Sequence, residues 1–536
     1  MNVAVNDDVQ FLAKFVPVQL AARLTQDGDP DPGNVLEIPS VVLLADISNF
    51  TTLAERLIAR LGPEGADRLS QMLSACFTII VDAVQSAGGE VLSIGGDAVL
   101  AAWYCDDEPA EDDETRMATI QAVVACCKTM HQGLEALAPI EGTLLSLHIG
   151  LAQGLLLVAG VGGVEHRFEI VCGGNVVADV SKAVNHAASG ATVANLAFWR
   201  AARNVLTGTP LGGGYVSLDR NQKISSSALQ MRAFTLPSEL QLRYFISDVI
   251  ASVEFPHLSH WMSQLRLVTA LFCRMIDLKA QTRDEFGRLH IAVSAIQQAI
   301  GPHGGTLERV HLDEKGVIAV VFFGLPNSEA SAHASSAIAA ALAIDDYLRG
   351  MGQRSAIGVA TGKSFSGLVG SPRRTHYTCH GDVPNLAARL MTHTEEGIVC
   401  DFDTQRTAQD QYEFQALEPV TLRGLASTVP AFSVLGPRSR QQGAIASVAS
   451  PLIGRAAEMR TIVDALTEAR RGSSRLIVIE GEAGIGKSRL AREGLERASE
   501  QGLGVLVSQA DRGLSAQPYR IWQKIFEQIV RAPEHA

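Results

Sequence analysis

The sequence predicts an α+β fold made of two unequal copies of one unit, followed by the start of a third, α/β unit. Three observations predict it. A weak internal repeat relates the chain from residue 41 onward to the chain from residue 268 onward. Within each copy, strand-like and helix-like runs mix without the regular βαβ alternation of a doubly wound sheet. A buried-strand pattern at 475–480 then leads into a glycine-rich loop and a helical pattern. At 536 residues the chain is too long for a single core, so about three or four domains are expected.

The first copy opens on VVLLADISNF (41–50), an apolar run ending in an acid. An amphipathic helix pattern spans Ala66 to Ser86, and GGEVLSIGGDAVLAAW (88–103) reads as two strands meeting at a Gly-Gly turn. LHIGLAQGLLLVAGVGG (147–163) follows; its apolar core from Ile149 to Gly163, broken by glycines and Gln153, reads as two buried strands around a turn. FEIVCGGNVVADVSKAVNHAASGATVAN (168–195) adds a strand, a helix and another strand. The second copy repeats the order with VTALFCRMID (268–277), GGTLERVHLDEKGVIAVVFFG (304–324), AIGVATGKSFSGLVG (356–370) and HYTCHGDVPNLAARLMTHTEEGIVCD (376–401). The expected divisions are an N-terminal segment 1–37, a first domain 38–202, a connector 203–262, a second domain 263–436, a Gly/Ser/Arg/Gln-rich linker 437–450, and a third domain begun at 451–536.

Composition narrows the function classes. With 47% hydrophobic and 19% charged residues the chain is globular, and a net charge of -12 argues against a nucleic-acid surface, which needs clustered Lys and Arg. The eight cysteines show no CxxC spacing, which argues against a zinc site and fits a reduced, cytoplasmic compartment. The N-terminus lacks a basic and then apolar signal pattern, and no run reaches membrane-spanning length, so no integral membrane segment is expected. The acidic cluster Asp106 to Glu114 reads as a solvated loop.

Two acids carry the chemistry of the first copy. Asp46 follows four apolar residues where a buried strand emerges, and Asp97 sits at the hairpin turn. Each alone has a plain alternative as a turn or cap residue. Together, at adjacent strand ends, they suit magnesium, which takes oxygen ligands and commonly one or two protein carboxylates. On the second copy Asn385 and Arg389 lie at i and i+4 and share a helix face, a pattern that an ordinary exposed pair would also show.

VVLLADISNFTTLAERL and GGEVLSIGGDAVLAAW resemble the metal-binding segments of class III nucleotidyl cyclases, and HYTCHGDVPNLAARL resembles the partner segment of the second catalytic domain in the soluble, bicarbonate-responsive adenylyl cyclases. The resemblance covers about residues 38–436. It implies two ferredoxin-like domains in a pseudo-symmetric intramolecular pair, with one active site at their interface. It further implies conversion of ATP to cyclic AMP with two Mg2+ ions, or Mn2+ in their place. The metal ligands would be Asp46, Asp97 and the backbone at Ile47. Asn385 would orient the ribose, Arg389 would stabilise charge on the phosphates, and Thr378 and Arg309 would meet the adenine. His148 stands where the family has a lysine near the phosphates. Ser93 and Ser181 replace the family's bicarbonate-binding lysine and arginine, which argues against a bicarbonate response.

In the second copy Cys273 is aligned with Asp46, leaving Asp313 without a carboxylate partner. In the first, Ala178 and Lys182 are aligned with Asn385 and Arg389. One site and one degenerate pseudo-site are therefore expected. Finally, GEAGIGKS (481–488) matches the P-loop pattern between a strand and a helix. Gly481, Gly484 and Gly486 would let backbone N–H groups approach the phosphates, Lys487 would reach the terminal phosphates, and Ser488 would ligate magnesium. Nucleotide binding is expected there, without hydrolysis. Two other readings stay open: a degenerate cyclase-type sensor that regulates the P-loop module, and a guanylate cyclase, since Glu308 and Cys379 are each one residue from the base-contacting positions.

Overall fold

A computed structural model gives the architecture. It describes residues 7–31, 33–48, 53, 60, 63–105, 113–137, 144–220, 234–251, 264–313, 316–326, 333–420, 428–438, 454–481, 486–508 and 525. Of the loop expected at 106–114, residues 106–112 lie outside the described residues and Asp113 and Glu114 instead begin a helix; of the linker expected at 437–450, residues 439–450 lie outside them. The chain divides into two compact units, Met1–Arg438 and Ser439–Ala536.

The larger unit contains two sheets of one topology. The first is built from β1 (Leu36–Ser48), β2 (Glu90–Gly95), β3 (Ala98–Tyr104), β4 (Ser146–Gly162), β5 (Phe168–Gly173), β6 (Thr192–Asn195), β7 (Gly208–Gly212) and β8 (Tyr215–Leu218). Their order is β2-β3-β1-β4-β6-β8-β7, with β5 also on β4. The second sheet repeats this with β9 (Gln264–Met275), β10 (Gly305–Asp313), β11 (Gly316–Phe323), β12 (Ser355–Gly370), β13 (Thr375–His380), β14 (Gly397–Asp401), β15 (Tyr412–Ala416) and β16 (Ala431–Pro437), in the order β10-β11-β9-β12-β14-β16-β15 with β13 on β12. The pairs β4–β6 and β12–β14 are parallel while the other ladders are antiparallel, as the irregular strand and helix order predicts.

Strand alternation divides each sheet into a covered face and a site-bearing face. From β1, Val41, Leu43, Ala45 and Ile47 enter a core with helices α1 (Pro63–Ser86) and α2 (Asp113–Glu135). Ile38 and Val42 face the other way, onto Val176, Val177 and Val180 of α3 (Asn175–His186). In the second sheet α4 (Arg283–Ile300) and α5 (His333–Gly350) build the core, and α6 (Asp382–His393) lies on the opposite face.

One expectation is corrected here. Residues 149–163 do not form two strands around a turn; all but Gly163 belong to one 17-residue strand, β4. Gly150 and Gly154 are close-packing positions within it, not turns. A Cβ at Gly150 would stand 2.5 Å from the Val180 carbonyl oxygen, and one at Gly154 would stand 3.2 Å from Val176. The length has a consequence for the interface. Leu157, Ala159 and Val161 at its far end pack in the core of the second sheet, and Val369 of β12 packs in the core of the first.

A buried arginine pins this contact, and a half-buried one holds the connector to the first sheet. Arg374, just before β13, donates to the carbonyls of Val91 and Leu92 at 3.3 Å and to that of Lys14 at 3.1 Å. Arg167, just before β5, donates to the carbonyls of Arg243 and Ile246 and pairs with Asp248.

In the smaller unit, helices α7 (Ala456–Arg470) and α8 (Lys487–Glu500) are formed. The expected buried strand at 475–480 is not. Those residues carry no strand, Leu476 is 91% exposed and Val478 68%, because no partner strand pairs with them among the described residues.

Candidate active site

The register of β1 decides which side chains meet. Asp46 pairs with Ala98 on β3 and with His148 on β4, so its carboxyl shares the site-bearing face with the His148 ring. Asp97 occupies the two-residue turn between β2 and β3, where Gly96 takes φ +62°, a left-handed conformation that suits glycine. The Ile47 N–H donates to the Asp97 carbonyl at 3.0 Å and fastens the turn to the end of β1.

Burial, then the charge of Asp97, push the Asp46 carboxyl up to about 7, against the pull of the Ile47 N–H. Burial likewise raises Asp97. Two carboxylates sharing a desolvated corner repel each other and offer only oxygen donors. That is the chemistry of a hard divalent cation site, so these residues fit magnesium.

The pseudo-twofold relation between the sheets can be read from the glycine that touches the helix in each. Gly150 meets Val180, and Gly358 meets Ala387 and Met391. Two residues before Gly150 is His148, opposite Asp46; two before Gly358 is Ala356, opposite Arg274. The second-unit counterpart of Asp46 is therefore Arg274, not Cys273. Cys273 points into the helix-covered core beside Leu271 and Met275, since a one-residue slip changes the face of a strand. Arg274 donates to the Thr394 carbonyl at 3.0 Å, at the C-terminal end of α6.

Asn385 and Arg389 both lie on α6, one turn apart. Val383, Pro384, Ala387, Leu390 and Met391 form its buried face, leaving Asn385 exposed and Arg389 half-buried. On α3 the corresponding positions hold Ala178 and Lys182, as the repeat predicts.

A cavity of about 570 Å3 runs between the two sheets. Asp46, Ser93, Gly96 and Ser181 line it from the first, and Glu308, Arg309 and His376 from the second. Ile47, Asp97, His148, Thr378, Asn385 and Arg389 are not among its lining residues. His148 Nδ1 lies 2.6 Å from the Ala187 carbonyl. A carbonyl only accepts, so Nδ1 carries a proton and donates it to that carbonyl.

A bulge in β10 between Leu307 and Arg309 places Glu308 and Arg309 together at the cavity. Burial alone would raise the Glu308 carboxyl. The charges of Arg309 and His376 and the hydroxyl of Thr378 outweigh it and lower the group to about 2. Glu308 is held by His376 Nε2, and its buried Oε2 faces Arg309 Nε at 3.3 Å. His376 and Arg374 carried no distinguishing signal in the sequence, where SPRRTHYT reads as an ordinary basic turn before a strand.

Glu169 of β5 also lines the cavity. Burial first, then the charges of Glu308 and Asp248, raise it well above the usual 4.5. Its contribution to stability is present below the unfolded value and is lost as pH rises through the raised folded value. Glu169→Gln is therefore expected to stabilise the protein at neutral pH by about 1 kcal/mol, read as a higher urea midpoint at pH 7.5. A lower midpoint would contradict the account.

In the smaller unit, Lys487 begins α8 after Gly486, whose φ is +97°, and its Nζ donates to the Gly481 carbonyl at 2.8 Å. Gly484 and the side chain of Ser488 lie outside the described residues.

Residues 315–435 match the adenylate and guanylate cyclase catalytic domain family, and residues 451–534 the AAA ATPase domain family. Adenylate cyclase type 10 of Oryctolagus cuniculus is 25% identical over 523 residues, covering 89% of this chain and 32% of the relative. The Rattus norvegicus protein of the same name is 26% identical over 526 residues, with the same coverages. The chain thus spans about a third of the length of the curated relatives it matches. Among solved structures, a class III adenylyl cyclase-like ATP-binding protein from Pseudomonas aeruginosa aligns with a TM-score of 0.50 at 12% identity, over 75% of this chain and 93% of that one. That likeness establishes the fold. No helix among the described residues is long and apolar enough to cross a membrane.

Proposed function

We propose that this chain, which carries a class III cyclase catalytic domain and an AAA ATPase domain and is homologous to adenylate cyclase type 10, converts ATP to cyclic AMP and pyrophosphate at one site shared by its two paired cyclase-type domains in the cytoplasm. The observation that carries this reading is the division of parts. Asp46 and Asp97 stand together in the first domain, where Arg274 occupies the corresponding strand position of the second. Asn385 and Arg389 stand together in the second, where the first has Ala178 and Lys182.

Asp46, Asp97 and the backbone at Ile47 would hold two Mg2+ ions, which when bound activate the ribose 3′-hydroxyl and neutralise the triphosphate. Arg389 offers a planar, permanently charged fork to the phosphate oxygens as charge builds on them. Asn385, one turn earlier, orients the ribose. Thr378 and Arg309 frame the adenine, and His148, beside Asp46, presents its Nε2 edge toward the phosphates. Gly481, Gly484, Gly486, Lys487 and Ser488 hold a second nucleotide in the P-loop domain, where no hydrolysis is proposed.

One observation favours a second substrate. Glu308 is ionised, next to Thr378, and lines the cavity. A carboxylate there accepts from the N–H groups of guanine, which would make the enzyme a guanylate cyclase. Product formation from ATP and GTP with Mg2+ or Mn2+ separates the readings. Cyclic AMP from ATP is expected, with Arg389→Ala lowering kcat by about 10^2-fold. Cyclic GMP alone would reject the ATP assignment, and no product with either metal would leave the nucleotide-sensor reading.

A further inference from the structure

We propose that Arg309 is a positioning residue that ties the acidic hairpin of the first domain to the base-facing strand of the second. The inference rests on the shared-site reading for its consequence in activity, but not for the contact itself. Arg309 Nη1 donates to the Ile94 carbonyl at 3.0 Å, across the boundary between the sheets. Ile94 pairs with Val99 and Gly95 with Ala98, so this carbonyl belongs to the last rungs before the Gly96–Asp97 turn. The guanidinium lies so close over Gly95 that a Cβ there would stand 3.0 Å from Nη1.

The arginine is itself held from behind. Its Nε lies 3.3 Å from Glu308 Oε2, and the Glu308 side chain, only 3% exposed, is fixed by His376 and the Thr378 hydroxyl. The chain of contacts therefore runs from the β10 and β13 positions next to the base, through one planar side chain, to the backbone that carries Asp97.

The pseudo-twofold relation provides an internal control. Both hairpins have a bulge at the same place, between Val91 and Ser93 in β2 and between Leu307 and Arg309 in β10. The counterparts of Glu308 and Arg309 are thus Leu92 and Ser93. Neither can reach across to bond the β10–β11 hairpin as Arg309 bonds β2–β3. The cross-domain tie is built toward the hairpin that carries the Asp46-facing acid and not toward the other.

A carbonyl bond from a charged donor fixes the hairpin at the separation the closed pair dictates. Without it, Arg374 still holds the base of the hairpin at Val91 and Leu92, and its tip keeps β3 and the Ile47 N–H bond to Asp97. The expected consequence is that Arg309 sets the affinity for the metal as well as meeting the base.

The test uses the full chain and Arg309→Met, with Arg309→Gln if the first variant does not fold. Amide hydrogen exchange should be about fivefold to tenfold faster at residues 94–99, with β9 and β12 unchanged. In turnover assays the Mn2+ concentration for half-maximal activity should rise about tenfold, in addition to any rise in the nucleotide KM from the lost adenine contact. Unchanged exchange at 94–99 would overturn the proposal, and so would a raised KM at unchanged metal dependence, which would make Arg309 a base contact alone. A wild-type chain that makes no cyclic nucleotide would reject the catalytic reading, while the exchange result would still decide the tie.

Discussion

Asp97→Ala should lower cyclic-nucleotide formation by at least about 10^3-fold while leaving the fold no less stable. The two halves of that expectation have different origins. Stabilising the charge of a reacting triphosphate through metals is worth several kcal/mol, and Asp97 is one of the two carboxylates proposed to hold them. In the metal-free protein, however, the same side chain is a liability. Its burial costs free energy and its charge destabilises ionised Asp46. Removing it relieves that repulsion, and the bond from Ile47 uses the Asp97 backbone carbonyl, which alanine retains. Differential scanning should show an unfolding temperature at least equal to wild type without metal, and loss of the increase that Mg2+ or Mn2+ gives wild type. A variant with near-normal turnover would remove Asp97 from the site.

Gly358→Ala should cost about 3 kcal/mol or more of stability and remove most activity from the protein that still folds. Gly358 lies near the start of β12, where any Cβ would stand 2.1 Å from the Ala387 carbonyl oxygen and 2.4 Å from the Met391 nitrogen. Both contacts are to helix backbone, which cannot rotate away as a side chain can, so α6 itself must move. That helix carries Asn385 and Arg389, and a displacement of about 1 Å at a positioned catalytic group can cost about 10^2-fold in rate. Gly150→Ala is the matched control. Its Cβ would stand 2.5 Å from the Val180 carbonyl, so stability should fall similarly. The helix it moves is α3, which holds Ala178 and Lys182, so the rate of the surviving folded protein should fall less. Chemical denaturation and kcat per folded molecule, taken together, distinguish the two effects.

The repeated strand and helix order, the hairpin at the Gly-Gly turn, and the helix placing Asn385 and Arg389 on one face were legible in the sequence because each follows from local periodicity or turn chemistry. Two readings failed where local pattern and long-range packing disagree. Glycines in β4 signal a turn by composition, yet they are there to let a helix backbone approach. The run at 475–480 has strand composition, but a strand needs a hydrogen-bonded neighbour.

Most of the fold class and the roster of candidate residues were therefore determined by the sequence alone: an α+β duplication, two acids at strand ends in one copy, and an Asn and Arg on a helix in the other. Tertiary structure decided the pairings. It exchanged Cys273 for Arg274 as the counterpart of Asp46, because a strand's faces alternate and only register tells which residue looks toward the site. It also placed Arg309 against a carbonyl 215 residues away and Glu308 between His376 and Arg309. Periodicity extends over a few turns of chain. Which backbone oxygen an arginine meets across a domain boundary depends on how two sheets pack, and no local pattern encodes that.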